Sequence, residues 1–288
     1  MKYIDIQGLA NPVSKFIFGT AIAPMTDGTG GANILDAAFA EGVNTFDTAR
    51  VYGQSEKVLG QWIRDRGLRH KVNIITKGCH HDEKGSRVTP GHLIYDVDMS
   101  LKSLGTDYID IYLLHRDDPT RPVEPMIDGL NELQRQGKIL SFGVSNWTHS
   151  RIAEANDYAR ANNSEGFRVS SPGLSAVRRI FDPWGGSVDI SDNREAQDWY
   201  MENKMPVLAY SALARGYLSG RRTAAAEYNC PENAETLKML EREAGERGIT
   251  TAQAAIMWLL KLEMTVCPIM SPTKPDHIKS AAAAFDMA

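Results

Sequence analysis

The sequence predicts an α/β protein, a (β/α)8 TIM barrel with an N-terminal β-hairpin. Three observations carry that reading. Eight short apolar runs rich in β-branched residues alternate with eight longer stretches of helical period. The unit recurs about every 30 residues, the length of a strand with its crossover helix and connections. The glycine turn that an open doubly wound sheet needs for a dinucleotide is incomplete. Gly28, Gly30 and Gly31 stand in the first strand-to-helix connection, but Asn33 takes the place of the third glycine and no acidic ribose partner follows.

The strands are read at 16–21, 44–47, 72–77, 108–115, 139–145, 167–171, 206–210 and 265–269. The helices are read at 32–40, 55–66, 90–104, 125–136, 149–162, 192–203, 250–262 and 275–285. Thr89 before Pro90 is an N-cap followed by proline at the first helical position, where the missing N–H costs nothing, and Ser55 and Thr250 are read as further caps. Gly67, Gly105 and Gly137 fall just past helix ends, where a left-handed residue closes the last turn. The segment Tyr3-Ile4-Asp5-Ile6, then Gly8, then Val13, reads as a hairpin lid over one end of the barrel. Two connections are long, 176–191 and 212–233, and loops of such length in a compact domain carry function or disorder. The whole chain, 1–288, is expected to form one domain.

Composition excludes other classes. The chain is 42% hydrophobic and 24% charged, an ordinary globular balance. Its 32 Lys+Arg and 36 Asp+Glu leave a net charge of -4, without the basic excess that a phosphate backbone requires, so nucleic acid is not expected as a partner. No apolar run reaches the roughly 18 residues of a membrane span, and Asp5 and Gln7 interrupt the start where a signal peptide needs an apolar block. The expectation is a cytoplasmic monomer or weak homo-oligomer. Cys79, Cys230 and Cys267 lie far apart, with no spacing that suggests zinc or a redox pair. His80 and His81 are read as solvated loop residues rather than metal ligands, so no metal is expected.

In a barrel of this kind the active site lies at the C-terminal ends of the strands. Those ends are polar: Asp47, Lys77, His115, Ser145-Asn146, Ser170-Ser171 and Tyr210-Ser211. Asp47, Tyr52, Lys77 and His115 have a joint chemical meaning. A tyrosine that protonates a carbonyl oxygen as it receives hydride is a weak acid, with a free pKa of ~10, and needs its oxyanion stabilised. Lys77 supplies that charge, Asp47 keeps Lys77 protonated against desolvation, and Tyr52 turns back over the mouth. His115 orients the substrate carbonyl.

At these residues the sequence resembles the aldo-keto reductase superfamily. The segments that carry the likeness are Gly42-Val43-Asn44-Thr45-Phe46-Asp47-Thr48-Ala49-Arg50-Val51-Tyr52-Gly53, Ile75-Thr76-Lys77, Leu113-Leu114-His115-Arg116, Gly137-Lys138-Ile139 and Gly143-Val144-Ser145-Asn146-Trp147. It runs from Phe18-Gly19-Thr20 to the helix that starts at Pro275. The resemblance implies an NADPH-dependent reductase of small aldehydes or ketones, with Asp47, Tyr52, Lys77 and His115 as its catalytic residues. It implies cofactor contacts from Gly19, Thr20 and Asp47, a carboxamide grip by Ser145 and Asn146, and Tyr210 against the nicotinamide ring. Ser171 takes the place of the usual glutamine as third carboxamide partner. Ser211, Ala212, Leu213 and Arg215 follow in the matching segment. Ser271, Thr273, Lys274 and His277 match the stretch that holds the adenosine 2′-phosphate. His277 stands where the family has arginine or glutamine, and Ser280-Ala281 where it has Glu-Asn, which implies a modest preference for NADPH with NADH as a second cofactor. The same fold also serves as a cofactor-binding regulatory protein in some relatives, but the mark of that alternative, a broken catalytic set or an added tail, is not visible here.

The substrate wall is expected from Met25, Trp147 and Trp184, with Tyr52 and His115 at its base. An apolar wall of that kind discriminates weakly, and a shallow, permissive pocket follows.

Overall fold

In a computed structural model, which describes residues 1–220 and 225–288, eight parallel strands close into a barrel. Part of the connection expected at 212–233, residues 221–224, therefore lies outside the described residues. A short antiparallel pair, β1 (Tyr3–Ile4) and β2 (Val13–Ser14), precedes the barrel. The barrel strands are β3 (Ile17–Gly19), β4 (Thr45–Asp47), β5 (Asn73–Gly78), β6 (Ile109–Leu114), β7 (Ile139–Ser145), β8 (Ser170–Ser171), β9 (Val207–Ala209) and β10 (Val266–Met270), and β10 pairs with β3 to close the ring. The helices are α1 (Ala23–Thr26), α2 (Ala32–Ala40), α3 (Ser55–Arg66), α4 (Pro90–Leu104), α5 (Glu124–Arg135), α6 (His149–Ala161), α7 (Arg194–Glu202), α8 (Pro231–Arg247), α9 (Thr251–Leu260) and α10 (Pro275–Met287). Among the described residues no helix is long and apolar enough to cross a membrane.

The eight expected strands and eight expected helices are all present, with shorter ends in places. β8 keeps only two residues of 167–171, although Arg168 and Ser170 still donate to the carbonyls of Phe142 and Pro206, so the chain stays extended before the strand proper. Two helices were not expected. α1 is a single turn with Pro24 in its first positions, and α8 fills a stretch to which no element was assigned. Its signals were ordinary ones: Pro231 at the start, Gly248 at φ 64° past the end, and Leu237, Leu240 and Ala244 buried along one face. Two caps hold. Thr89 accepts the N–H of His92, and Thr250 with Gln253 forms a reciprocal capping box. Ser55 does not cap: its hydroxyl donates to the Thr20 carbonyl at 3.0 Å, and the cap position falls on Gln54.

The period of two along each strand decides what the barrel holds. Phe18, Phe46, Ile74, Tyr112, Phe142, Val207 and Val266 point outward into the layer shared with the helices. Ile17, Ile75, Ile111, Leu113, Val169, Leu208, Cys267 and Ile269 point inward and pack together as the barrel interior. β1, β2 and the turn between them add Ile6 and Val13 to that interior cluster from below. Asn44 and Asn73, at the starts of β4 and β5, tie the hairpin down through the carbonyl of Pro12 at 2.8 and 3.1 Å. The hairpin therefore plugs the N-terminal end of the barrel and leaves the C-terminal end open.

Packing of α3 on α4 is close enough to test. A Cβ added at Gly60 would meet the Leu104 carbonyl oxygen at 2.0 Å, backbone against backbone, whereas one added at Gly245 in α8 meets nothing within 4 Å. Gly60→Ala is expected to lower the melting temperature, because overpacking of about 1–3 kcal/mol outweighs the gain of about 0.5–1 kcal/mol from replacing a helical glycine. Gly245→Ala should leave it unchanged or raise it. A thermal melt of the two variants that shows the opposite order would refute the packing argument.

Candidate active site

The inward-facing row that is apolar through the barrel turns polar at its top. Two residues above each interior hydrophobe on the same face stand Gly19, Lys77, Ser171, Tyr210 and Ser271, and Asp47, His115 and Ser145 complete the ring. All of them line one cleft of about 1350 Å³ at the C-terminal ends of the strands. Strand register alone brings them together, since Asp47 pairs with Ile75 and Lys77 is the next residue of that face.

At its base Lys77 Nζ stands 2.6 Å from Asp47 Oδ1, and both side chains are buried. The ammonium also donates to the Thr48 carbonyl at 2.8 Å. Burial alone would lower the Lys77 pKa, but Asp47 and Tyr52 outweigh it and hold the group above an ordinary lysine. Burial likewise lifts the Asp47 carboxyl above the usual range, against the pull of Lys77. Tyr52 lies over Lys77, whose Nζ is 5.1 Å from the ring centroid. Burial raises the phenol above 10 although the Lys77 charge works the other way. The His115 ring meets Tyr52 edge to face at 5.9 Å. Burial, then the charges of Lys77 and Arg116, push its pKa well below 6.5, so the imidazole is neutral, and Nδ1 is buried with no partner.

Around this base Ser145 donates to the Ser171 carbonyl at 2.9 Å and Ser171 donates to the Leu208 carbonyl at 2.8 Å. Each hydroxyl proton is thereby spent inside the protein, and Ser171 can only accept from a ligand. Asn146 donates to the His115 carbonyl at 3.1 Å and accepts from Tyr210 Oη at 2.8 Å, which fixes both the amide and the tyrosine ring. Ser211, Ala212, Leu213 and Arg215 line the cleft beyond Tyr210. Ser211, Ala214 and Arg215 all adopt positive φ, at 53°, 49° and 51°. Such backbone costs about 1 kcal/mol per residue or more and gathers at functional sites. Ser271, Thr273, Lys274 and His277 line the far end at the start of α10, whereas Thr20, just past Gly19, is fully buried behind the lining of the cleft, its hydroxyl without a partner.

The expected substrate wall is only partly there. Trp184 lines the cleft, 41% exposed, with the guanidinium carbons of Arg215 and Arg179 at 5.3 and 5.6 Å from its ring. Met25 does not line it. α1 turns that side chain inward beneath Gly31, where it is fully buried, and Ala23 and Pro24 face the cleft instead. Trp147 is also a core residue: its ring packs on Phe167 at 5.3 Å and its Nε1 donates to the Arg116 carbonyl at 3.0 Å. His81 is exposed as expected, but His80 is half-buried and the two rings do not splay apart. Their rings lie 4.2 Å apart, and His80 faces His115 at 4.8 Å inside the cleft. Sequence reading missed Arg116, although it adjoins His115, and it missed Glu241 and Gln253, which α8 and α9 bring to the far wall. Glu241 had no readable signal without α8.

Residues 17–288 match the model of the Aldo/keto reductase family. Aldo-keto reductase YhdN of Bacillus subtilis is 30% identical over 233 residues, 77% of this chain and 65% of that protein, so the match spans slightly less than two thirds of that relative. 6-Dehydroglucose reductase of Agrobacterium fabrum is 27% identical over 266 residues, 87% of this chain and 80% of its own length. Norsolorinic acid reductase B of Dothistroma septosporum is 26% identical over 286 residues, 89% of this chain and 68% of its own. With the family model matched from the first barrel strand to the last helix, and with the polar ring assembled at the end of the barrel where such folds carry their chemistry, the chain belongs to the aldo/keto reductase family.

Proposed function

We propose that the protein is an NADPH-dependent oxidoreductase that reduces the carbonyl of small aldehydes or ketones to alcohols, with Tyr52 as general acid. The observation that carries this reading is the chain of contacts from buried Asp47 through buried Lys77 to Tyr52, with neutral His115 beside the phenol. The cleft also fits a dinucleotide. One end offers Lys274 at an α10 N-terminus that no side chain caps, a setting that favours phosphate, and the other offers the polar ring with Asp47, Ser145 and Tyr210. Ser145, Asn146 and Ser171 would hold the carboxamide, Tyr210 the nicotinamide face, and Arg215 with Ser271, Thr273, Lys274 and His277 the phosphates. When bound, the reduced nicotinamide supplies the hydride.

The protein supplies the proton and the electrostatics. Tyr52 Oη donates its proton to the carbonyl oxygen, and the phenolate left behind faces the Lys77 ammonium. Asp47 keeps that ammonium charged. His115 gives an uncharged N–H to the carbonyl and so orients it without competing for the proton. All four groups surround one cleft, and the regulatory alternative draws no support from that geometry.

Tyr52→Phe should cut turnover about 10²-fold to 10⁴-fold, the usual worth of general acid catalysis, while NADPH titration of protein fluorescence stays within a few-fold of wild type. Retained turnover would remove Tyr52 from the mechanism. The pH profile follows from the directions of the shifts. Tyr52 must be protonated and its pKa lies above 10, while His115 must be neutral and its pKa lies well below 6.5. Reduction is therefore expected to stay level from 6.5 to 10, to fall as pH rises past 10, and to fall on the acid side well below 6.5. A decline centred near neutrality would contradict both assignments. For the cofactor, Lys274→Ala should weaken NADPH binding several-fold and leave NADH nearly unaffected, since the lost charge faces only the extra phosphate. Equal losses for the two cofactors would place Lys274 elsewhere.

A further inference from the structure

We propose that the cleft selects carbonyl compounds that carry a carboxylate and that Arg116 receives it, an inference that rests on the carbonyl-reductase reading above. Arg116 follows His115 at the top of β6 and lines the cleft. It is only 8% exposed. Of its guanidinium donors one finds an acceptor, the Gly186 carbonyl at 3.4 Å, and Nε is shut off from water with no partner. Among the described residues no carboxylate lies within ion-pair distance of it. The acids that follow in sequence are engaged elsewhere, Asp117 with Arg151 at 3.3 Å and Asp118 with Arg121 at 2.9 Å, while Asp47 belongs to Lys77 at 2.6 Å.

A buried, unneutralised guanidinium is costly, and proteins keep one only where an opposite charge arrives. Its structural contacts are both to neutral groups, since Trp147 Nε1 donates to the Arg116 backbone carbonyl and Nη1 donates to the Gly186 carbonyl, and neither needs a full charge. The planar fork matches the two oxygens of a carboxylate. A dianionic phosphate would require a second cation, and the neighbouring imidazoles are not one. Burial lowers the pKa of both His80 and His115, and the Arg116 charge adds to the effect. The reacting carbonyl beside Tyr52 and His115 thus lies next to a site for one negative charge, on the same molecule.

The test is NADPH oxidation with 4-carboxybenzaldehyde and with its methyl ester, a pair that differs in charge and not in the reacting carbonyl. Wild type should favour the acid at least about tenfold in kcat/KM, through KM, as expected for one charge-assisted contact. In Arg116→Gln the acid-to-ester ratio should fall close to one. If that variant does not fold, Arg116→Lys, which keeps the charge and loses the fork, should cut the ratio at least about threefold. Reduction of the ester with no preference for the acid, or a preference unchanged by the substitution, overturns the proposal and leaves the reductase reading standing. Failure to reduce either aldehyde with NADPH or NADH sinks the reductase reading instead. Anion binding is then read separately from the quenching of Trp184 and the other tryptophans by benzoate and benzamide. Saturable benzoate binding, weakened at least about tenfold by Arg116→Gln and absent for benzamide, supports the site; no saturable benzoate binding, or equal binding of benzamide, overturns it.

Discussion

The ion pair between Asp47 and Lys77 is the constraint around which the open end of this barrel is arranged. Two opposite charges 2.6 Å apart sit on adjacent strands with almost no access to water. Each ion taken alone would cost several kcal/mol to bury, and removal of either partner strands the other, at about 3–5 kcal/mol. The pair is therefore all or nothing. The register of β4 against β5 must place both side chains on the inner face, and the Thr48 carbonyl must supply the ammonium with a further acceptor. Once those conditions hold, a tyrosine brought over the ammonium meets a fixed positive charge that does not reorganise when its proton leaves.

The same register explains why the polar end of the barrel could be read from sequence. Strands alternate strictly, so a polar residue two positions above an interior hydrophobe must also face inward at the top of the barrel. Ile75 and Lys77, Leu113 and His115, Val169 and Ser171, Leu208 and Tyr210 all obey that rule. Loops carry no such rule. Met25 and Trp147 follow strand ends much as Tyr52 does, yet one turns under Gly31 and the other against Phe167. Nothing in a single sequence sets the direction of a side chain where the backbone has left its periodic geometry. The far wall was lost for a different reason. α8 has a weak apolar stripe among many charges, such as the Glu243 and Arg247 pair, and without it Glu241 has no place in the cleft.

His80 shows how a reading by residue type fails. Two adjacent histidines after a strand look solvated, because neighbouring side chains in an extended strand point apart. Here Cys79 adopts φ 58°, a left-handed turn that ends the extended geometry between β5 and the loop. The chain then folds His80 back against His115 and lays His81 on top of it. Only the backbone conformation carries that information.

The charges of the cleft base do not cancel. Asp47 and Lys77 neutralise each other, the imidazoles are uncharged, and Arg116 is left over. A wall made of Trp184 and aliphatic groups separates substrates by only about 1–3 kcal/mol per methylene, which is why a permissive pocket seemed to follow from the sequence. A buried donor that must be satisfied behaves differently. It rejects a molecule without the matching group by leaving its own desolvation unrecovered, and that penalty can reach factors of about 10⁴. One guanidinium, adjacent to the residue proposed to orient the carbonyl, thus moves the expected specificity of the cleft from shape, which is weakly discriminating, to charge.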